Sequence, residues 1–408
     1  MEEEKIKLGV VFDQLLSVGG GFQQALNISK SLVNSSEVSF KVVFFTIYKE
    51  NIEALKEIGI NCIYIKNNKI TRAILKIRSR FNDELLLKII NKLFGQNLFE
   101  KILTKENINL VYFISPSSWS NYLEKMNYII TVWDLCHRDF PEFPEVYESR
   151  IFERRESFFN NALRRAVAII VDSNFGKENL IRRYGVDDDR VYVQPFSPAD
   201  FVNHETLSIN NKCMKNYELK PGYIFYPAQF WPHKNHIYIL DAAEILREKY
   251  KTLINIVFVG SNKGNQGYIK DMINEKKLGK QVKILGFVKN SEMNCLYKNS
   301  LALVMPTYFG PTNIPPLEAF HHEIPIFYSN LPGIRDQLPG AAVLINLDDP
   351  ESLAVKLMEI INNPKLRMSL INNAKLVFRE SHDENHSLMI SSICKSYLRK
   401  LKCSREIF

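Results

Sequence analysis

The sequence predicts an α/β fold made of two doubly wound parallel sheets, and three observations carry that prediction. Short apolar runs recur along the chain, most of them separated by stretches long enough for a helix. These runs are continuous rather than alternating, as expected of strands covered on both faces. A polar interval, Asn203 to Lys215, divides them into two sets, and 408 residues suffice for two domains of ordinary size. With 46% hydrophobic and 24% charged residues, the composition is that of an ordered globular protein and excludes a disordered or collagen-like chain.

The first set begins with Ile6 to Phe12 as a buried strand, then a glycine loop, then an amphipathic helix over Phe22 to Leu32. Strands follow at Phe40 to Ile47, Ile60 to Ile65, Leu110 to Ile114, Tyr128 to Val132, Ala168 to Val171 and Val191 to Val193. The second set places strands at Tyr223 to Tyr226, Ile254 to Val259, Val282 to Leu285, Ala302 to Met305, Pro325 to Tyr328 and Val343 to Ile345. Helices are expected between them at Asn235 to Glu248, Gly267 to Lys276, Ser291 to Tyr297, Pro315 to His321 and Glu351 to Ile361. Parallel neighbours need such crossovers, so each set reads as a Rossmann-like lobe. The domains are expected at 1–205 and 216–385, followed by a basic helix over 386–408.

Six scattered cysteines without a CxxC pair argue against a disulfide framework or zinc ribbon and favour a reducing, cytoplasmic setting. The acidic start and the short first apolar run give no signal peptide, and no apolar run is long enough to span a bilayer. A formal charge of +8 favours an anionic partner without identifying it. Nucleic acid is disfavoured, because no RNP motif or helix-turn-helix accompanies the charge.

Four places carry chemistry. Gly19, Gly20 and Gly21 lie between the first strand and its helix, where backbone N–H groups can approach a phosphate or sugar, or simply form a tight turn. In YPAQFWPHKNH, Lys234 falls at an expected helix start beyond a strand, where its ammonium can meet phosphate oxygens or be solvated. In YFGPTNIPPLEAFHHEIPIF, prolines mark a helix start near Ile314, and Glu318 can accept two ribose hydroxyls or merely stabilise the first turn. In TVWDLCHRDFPEF, Asp134 or His137 can orient an acceptor hydroxyl and Trp133 can stack on a sugar; a cap, a surface histidine and a core indole are the bland alternatives. The adjacent His321 and His322 converge poorly on one ion, and HDENH at 382–386 lacks the glutamate that HExxH carries in second position, so no metal is expected.

In their order along the chain, the GGG loop, VDSNFGKENLIRRYGVDDDRVYVQPF, Lys234, ILGFV, PPLEAF and LPGIRD make the sequence resemble a family 4 glycosyltransferase over nearly its full length. That resemblance implies the GT-B arrangement of two Rossmann-like lobes and an intervening cleft, with donor binding in the C-terminal lobe and acceptor binding in the N-terminal one. It implies that Lys234 contacts donor phosphate and that Glu318, the second acid of an E-x7-E motif, holds ribose. Gly310 stands where the first acid is expected, leaving Thr312 and Asn313 as uncharged donor contacts, with Ile314 at the helix start. The arginine expected before the lysine is replaced by Ala228 and Gln229, and Arg335, Lys263 or Arg182 are candidates to compensate.

The expected activity is retaining transfer from a UDP- or GDP-linked sugar to a hydroxyl of a glycan or glycolipid precursor in cell-surface polysaccharide (for instance lipopolysaccharide) synthesis, without a metal cofactor. Alternatives are a nucleotide-sugar epimerase or a noncatalytic protein that binds nucleotide sugar or anionic lipid. Basic, apolar-studded stretches at Lys66 to Lys105 and Ser391 to Phe408 can attract the inner face of the plasma membrane or a lipid-linked acceptor. The second stretch can instead pack back on the N-terminal lobe as a helix.

Overall fold

A computed structural model of the chain describes residues 5–16, 20–34, 39–79, 97–198, 212–380 and 386–403. The first sheet holds β1 (Ile6–Phe12), β2 (Phe40–Thr46), β3 (Cys62–Tyr64), β4 (Leu110–Phe113), β5 (Tyr128–Val132), β6 (Ala168–Val171) and β7 (Val191–Val193). Their order is β3-β2-β1-β4-β5-β6-β7 and every pairing is parallel. The second sheet holds β8 (Tyr223–Pro227), β9 (Ile256–Val259), β10 (Val282–Ile284), β11 (Ser300–Met305), β12 (Ile326–Ser329) and β13 (Val343–Ile345). It runs β10-β9-β8-β11-β12-β13, again all parallel. Both are doubly wound orders, reversing between β1 and β4 and between β8 and β11, and crevices for ligands form where the order reverses.

Burial explains why these runs become strands. Every residue of β4, β5, β6, β9 and β12 is buried, as continuous apolar segments require once helices cover both faces. The two faces of the first sheet give separate cores, one around Phe99, Phe113 and Phe159 and one around Phe12, Phe44 and Tyr112. Tyr223, Phe225, Tyr297 and Phe327 anchor a single larger core around the second sheet.

Compact units do not follow a single cut in the linker. Residues 1–135, 153–194 and 384–408 form the first, and residues 136–152 and 195–383 form the second. The segment 136–152 therefore belongs with the second sheet, although it follows β5 of the first. Residues 203–211, most of the hinge expected at 203–215, lie outside the described residues, as do Gly19 and His382.

The helix His386–Leu401 belongs to the first unit. Its Ile390, Ile393 and Cys394 are buried there, the Ser391 and Ser39 hydroxyls are 2.9 Å apart, and the Tyr397 hydroxyl receives a bond from Asn127 at 3.0 Å. Its apolar side is thus occupied by protein. The helix Lys69–Arg78 differs: Leu75 and Arg78 point inward, Arg78 making a two-pronged bridge to Glu124, while Ile70 and Ile77 are exposed beside Lys69, Arg72 and Lys76. Residues 80–96 of that basic stretch lie outside the described residues. No helix among the described residues is long and apolar enough to cross a membrane.

Candidate functional site

The switch point of the second sheet brings together the two loops that the sequence singles out. Lys234 lies in the loop after β8, in a single 3-10 turn over Pro232–Lys234 that Pro232 starts. The α-helix proper, His236–Glu248, begins only after Asn235, whose φ of 51° breaks the two apart. Lys234 is therefore not on the first turn of that helix, contrary to the expectation from sequence. Its turn is pinned instead: the Tyr226 hydroxyl donates to the Lys234 carbonyl at 2.8 Å, and the Tyr308 N–H donates to the His233 carbonyl at 2.9 Å. Its ammonium points to the loop after β11, donating to Thr307 Oγ1 at 3.3 Å and Asn313 Oδ1 at 3.1 Å.

That second loop ends at the helix Ile314–His321, whose first turn carries Pro315 and Pro316, where missing N–H groups cost nothing. Asn313 sits at its N-cap but offers no side-chain cap. The Gln337 amide does the work of pairing: its Oε1 accepts from Asn313 N–H at 2.9 Å and its Nε2 donates to the Asn313 carbonyl at 2.7 Å. Asn313 Nδ2 donates to the Gly310 carbonyl at 3.0 Å and to the Tyr328 hydroxyl at 2.7 Å, and Tyr328 donates on to Gln337 at 2.8 Å. A closed polar network of this kind fixes a geometry, because each buried group has a partner to lose. Asn313, expected as a direct donor contact, thus spends its side chain on the protein and on Lys234. Thr312 is buried beside it.

Gly310 has φ +92°, and a Cβ there would come within 3.2 Å of the Asn313 amide and the Thr312 carbonyl oxygen. The loop's course thus explains the glycine, and a glutamate could not simply be restored at this position. Glu318 is buried, 6% exposed, and its Oε2 accepts from the Tyr297 hydroxyl at 2.6 Å. Sequence reasoning gave both its oxygens to ribose; one is already engaged. Burial pushes this carboxyl up to about 7, the Tyr297 bond offsetting only part of the shift. The Tyr297 ring stacks on His322 at 5.2 Å, and burial, with the nearby His321 and Lys298, lowers His322 to about 4, so its ring is neutral.

Of the compensating cations considered, Lys263 lies over the Trp231 ring at 5.8 Å and Arg335 is exposed beside Asp336, both in this unit, whereas Arg182 belongs to the first and donates to Asn179. Gln229 accepts from the Trp231 indole at 3.0 Å.

In the first unit Gly20 and Gly21 open the helix Gly20–Asn34. A Cβ on Gly21 would lie 2.5 Å from the Trp133 ring, so the absent side chain makes room for an indole rather than leaving the backbone open to a ligand, and Trp133 packs rather than offering that edge to a sugar. Asp134 is bridged to Arg155 at 2.6 Å. His137, in the second unit, is fully buried and meets Phe152 edge-on. Sequence reasoning passed over Asp13, at the switch point of the first sheet. It accepts from Ser115 at 2.8 Å, and burial raises its carboxyl against the opposing pull of Ser117 and Ser115. It also passed over Glu145, His233, Tyr297, Tyr328 and Gln337, whose partners are distant in sequence.

The profile of the "Glycosyl transferases group 1" family matches residues 211–377, and that of "Glycosyltransferase Family 4" matches residues 63–195. The O-antigen chain mannosyltransferase RfbU of Salmonella typhimurium is 25% identical over 228 residues, 55% of this chain and 58% of that protein. The capsular polysaccharide biosynthesis glycosyltransferase CapH of Staphylococcus aureus is 30% identical over 118 residues, 29% of this chain and 33% of that one. The aligned region thus spans little more than half the length of RfbU and a third of CapH. Among solved structures, Anabaena HepE in complex with UDP-glucose superposes with a TM-score of 0.71 at 15% identity, covering 97% of this chain and all of that one. The likeness to HepE is one of fold.

Proposed function

We propose, for a chain that belongs to the group 1 glycosyltransferases, that the second unit binds a nucleoside-diphosphate sugar and that the protein transfers its sugar to a hydroxyl of a glycan or lipid-linked precursor of surface polysaccharide. One observation carries this reading: the Lys234 ammonium is aimed at the start of the helix Ile314–His321, with Glu318 one turn further along it. Cation and helix N-terminus both favour a diphosphate, and the carboxylate suits ribose hydroxyls.

In the transfer, the bond from the anomeric carbon to the diphosphate oxygen breaks as the acceptor oxygen bonds to that carbon on the same face. The acceptor proton passes to the departing diphosphate, and configuration is retained. Negative charge grows on the diphosphate during this step, so Lys234 accelerates it to the extent that its contact strengthens there. A lysine with helix N–H groups can carry that charge, so the reading assigns no metal. Acceptor recognition is assigned to the first unit. The exposed Ile70 and Ile77 among basic residues give a face for an anionic membrane surface on the cytoplasmic side.

RfbU and CapH, named for O-antigen and capsular polysaccharide synthesis, support the polysaccharide context. The donor is tested by thermal shift with UDP, GDP, UDP-glucose, UDP-N-acetylglucosamine and GDP-mannose, since a ligand that binds the folded state raises its melting temperature. Selective stabilisation by one base, lost in Lys234→Ala, is expected; no response to any of them defeats the reading. Incubating the stabilising sugar nucleotide without acceptor separates the alternatives, because an epimerase would form the epimer and a binding protein would leave the donor intact across an acceptor panel.

A further inference from the structure

The segment 136–152 is built into the second unit through the two loops of the candidate site. Cys136 Sγ accepts from the Gly310 N–H at 3.4 Å, Phe140 stacks on Phe309 at 5.7 Å, and Phe143 meets Phe309 edge-on at 5.2 Å. Phe309 in turn stacks on the His233 ring at 4.3 Å and 11°. Set into this aromatic wall is Glu145, its side chain 9% exposed. Its Oε1 accepts both donors of His233, the backbone N–H at 3.1 Å and the ring Nδ1–H.

Its other oxygen, Oε2, is buried and takes no hydrogen bond from any described residue. Burial by itself raises the Glu145 carboxyl, but the bonds from His233 outweigh it and the net shift is downward, so the group is ionised at neutral pH. A buried carboxylate oxygen without a donor is costly, and proteins keep such groups where a ligand or water completes them. The missing partner must be an O–H or N–H donor. The site adjoins Lys234 in sequence and Gly310 through Phe309, where the motif's first carboxylate is absent. Aromatic faces next to a carboxylate are the chemistry that suits a sugar ring, apolar on its faces and hydroxylated at its edge.

Resting on the donor-site reading above, we infer that Glu145 Oε2 accepts a hydroxyl hydrogen bond from the transferred sugar and so helps decide which sugar is carried. The carboxylate comes from the 136–152 segment because the 310 loop has no room for one.

The test compares the wild-type protein with Glu145→Gln and Glu145→Asp, measuring affinity for the bare nucleoside diphosphate, affinity for the matching sugar nucleotide and its monodeoxy analogues, and melting temperature. The expected result is an unchanged diphosphate affinity and a loss of about tenfold or more for the intact sugar nucleotide in Glu145→Gln. One deoxy analogue should bind wild type as weakly as the intact donor binds the variant, and the variant should not distinguish the two. Glu145→Asp, which keeps the charge on a shorter arm, should fall between them and serves if the glutamine variant does not fold. Equal loss of diphosphate and sugar-nucleotide affinity would mean that Glu145 only steadies the His233–Lys234 turn, and the inference fails. No deoxy analogue sensitive to Glu145 overturns it as well. Failure of wild type to bind any nucleotide overturns the donor-site reading and this inference together.

Discussion

The Tyr297→Phe substitution puts the assigned role of Glu318 to a quantitative test. Burial pushes the Glu318 carboxyl up to about 7, with one oxygen held by the Tyr297 hydroxyl at 2.6 Å. Tyr297 remains the donor throughout, because burial and the neighbouring Glu318 push its phenol well above its usual range. A hydrogen bond to a buried carboxylate contributes about 1.5–3 kcal/mol, and about 1.4 kcal/mol corresponds to one pKa unit. Removing the hydroxyl should therefore raise Glu318 by roughly one to two units. With a one-unit rise, the ionised fraction at pH 7 falls from about a half to about a tenth, and a ligand that needs the carboxylate binds about fivefold more weakly.

The sign is fixed by the direction of the shift. Affinity for the cognate nucleoside diphosphate should tighten as pH rises through about 7 in wild type. In Tyr297→Phe the same rise should come at least about one unit higher, with full recovery in alkali. Calorimetric titration from pH 5.5 to about 9.5, with Glu318→Gln subtracting the ligand's own phosphate ionisation, reads this directly. Linkage gives an independent check without ligand. A carboxyl raised from 4.5 to about 7 by folding costs stability as pH rises between those values, by up to about 3 kcal/mol, and Glu318→Gln should flatten that slope. An identical midpoint in wild type and Tyr297→Phe, or a pH step as large in Glu318→Gln as in wild type, would refute the reasoning.

Further outcomes are expected elsewhere in the molecule. Lys234→Ala should lower kcat/KM by about a hundredfold or more while its melting temperature stays near wild type, as paired transfer assays and calorimetry will tell. Gly310→Ala should destabilise the fold by about 1–2 kcal/mol, because φ is +92° there, and weaken diphosphate binding through Asn313; urea titration and ligand binding measure the two effects. Gly21→Ala forces the Trp133 ring to move from 2.5 Å and should cost about 1–3 kcal/mol in chemical denaturation without altering nucleotide affinity. Chelation by EDTA should leave the transfer rate unchanged, whereas a metal-dependent donor site would lose activity until a divalent ion is returned.

Much of the fold was legible because buried parallel strands announce themselves locally. Leu110 to Phe113 and Ile326 to Ser329 are apolar runs with nothing polar to interrupt them, and no other part of the chain needs to be known to assign them. The loops that carry Lys234 and Glu318 could be placed because each stands beyond an apolar strand, and those strands become neighbours at a switch point. What stayed hidden depends on pairs far apart in the chain. Glu145 meets His233 across 88 residues, and Gln337 reaches Asn313 across 24, with no periodicity to announce either. Trp133 and His137 are hard to read from sequence because a residue type capable of recognition is equally suited to packing: the half-buried Trp133 sets its ring against Gly21, and His137 is buried.

The chain passes from one compact unit to the other four times, at 135, 152, 194 and 383. Modular exchange at the 203–215 linker would therefore separate the back half from Phe140, Phe143 and Glu145, stripping a covering from Tyr308 and Phe309 and exposing their rings to self-association. A chimera intended to inherit the donor preference of this protein has to carry residues 136–152 as well, a graft of two discontinuous pieces from one parent.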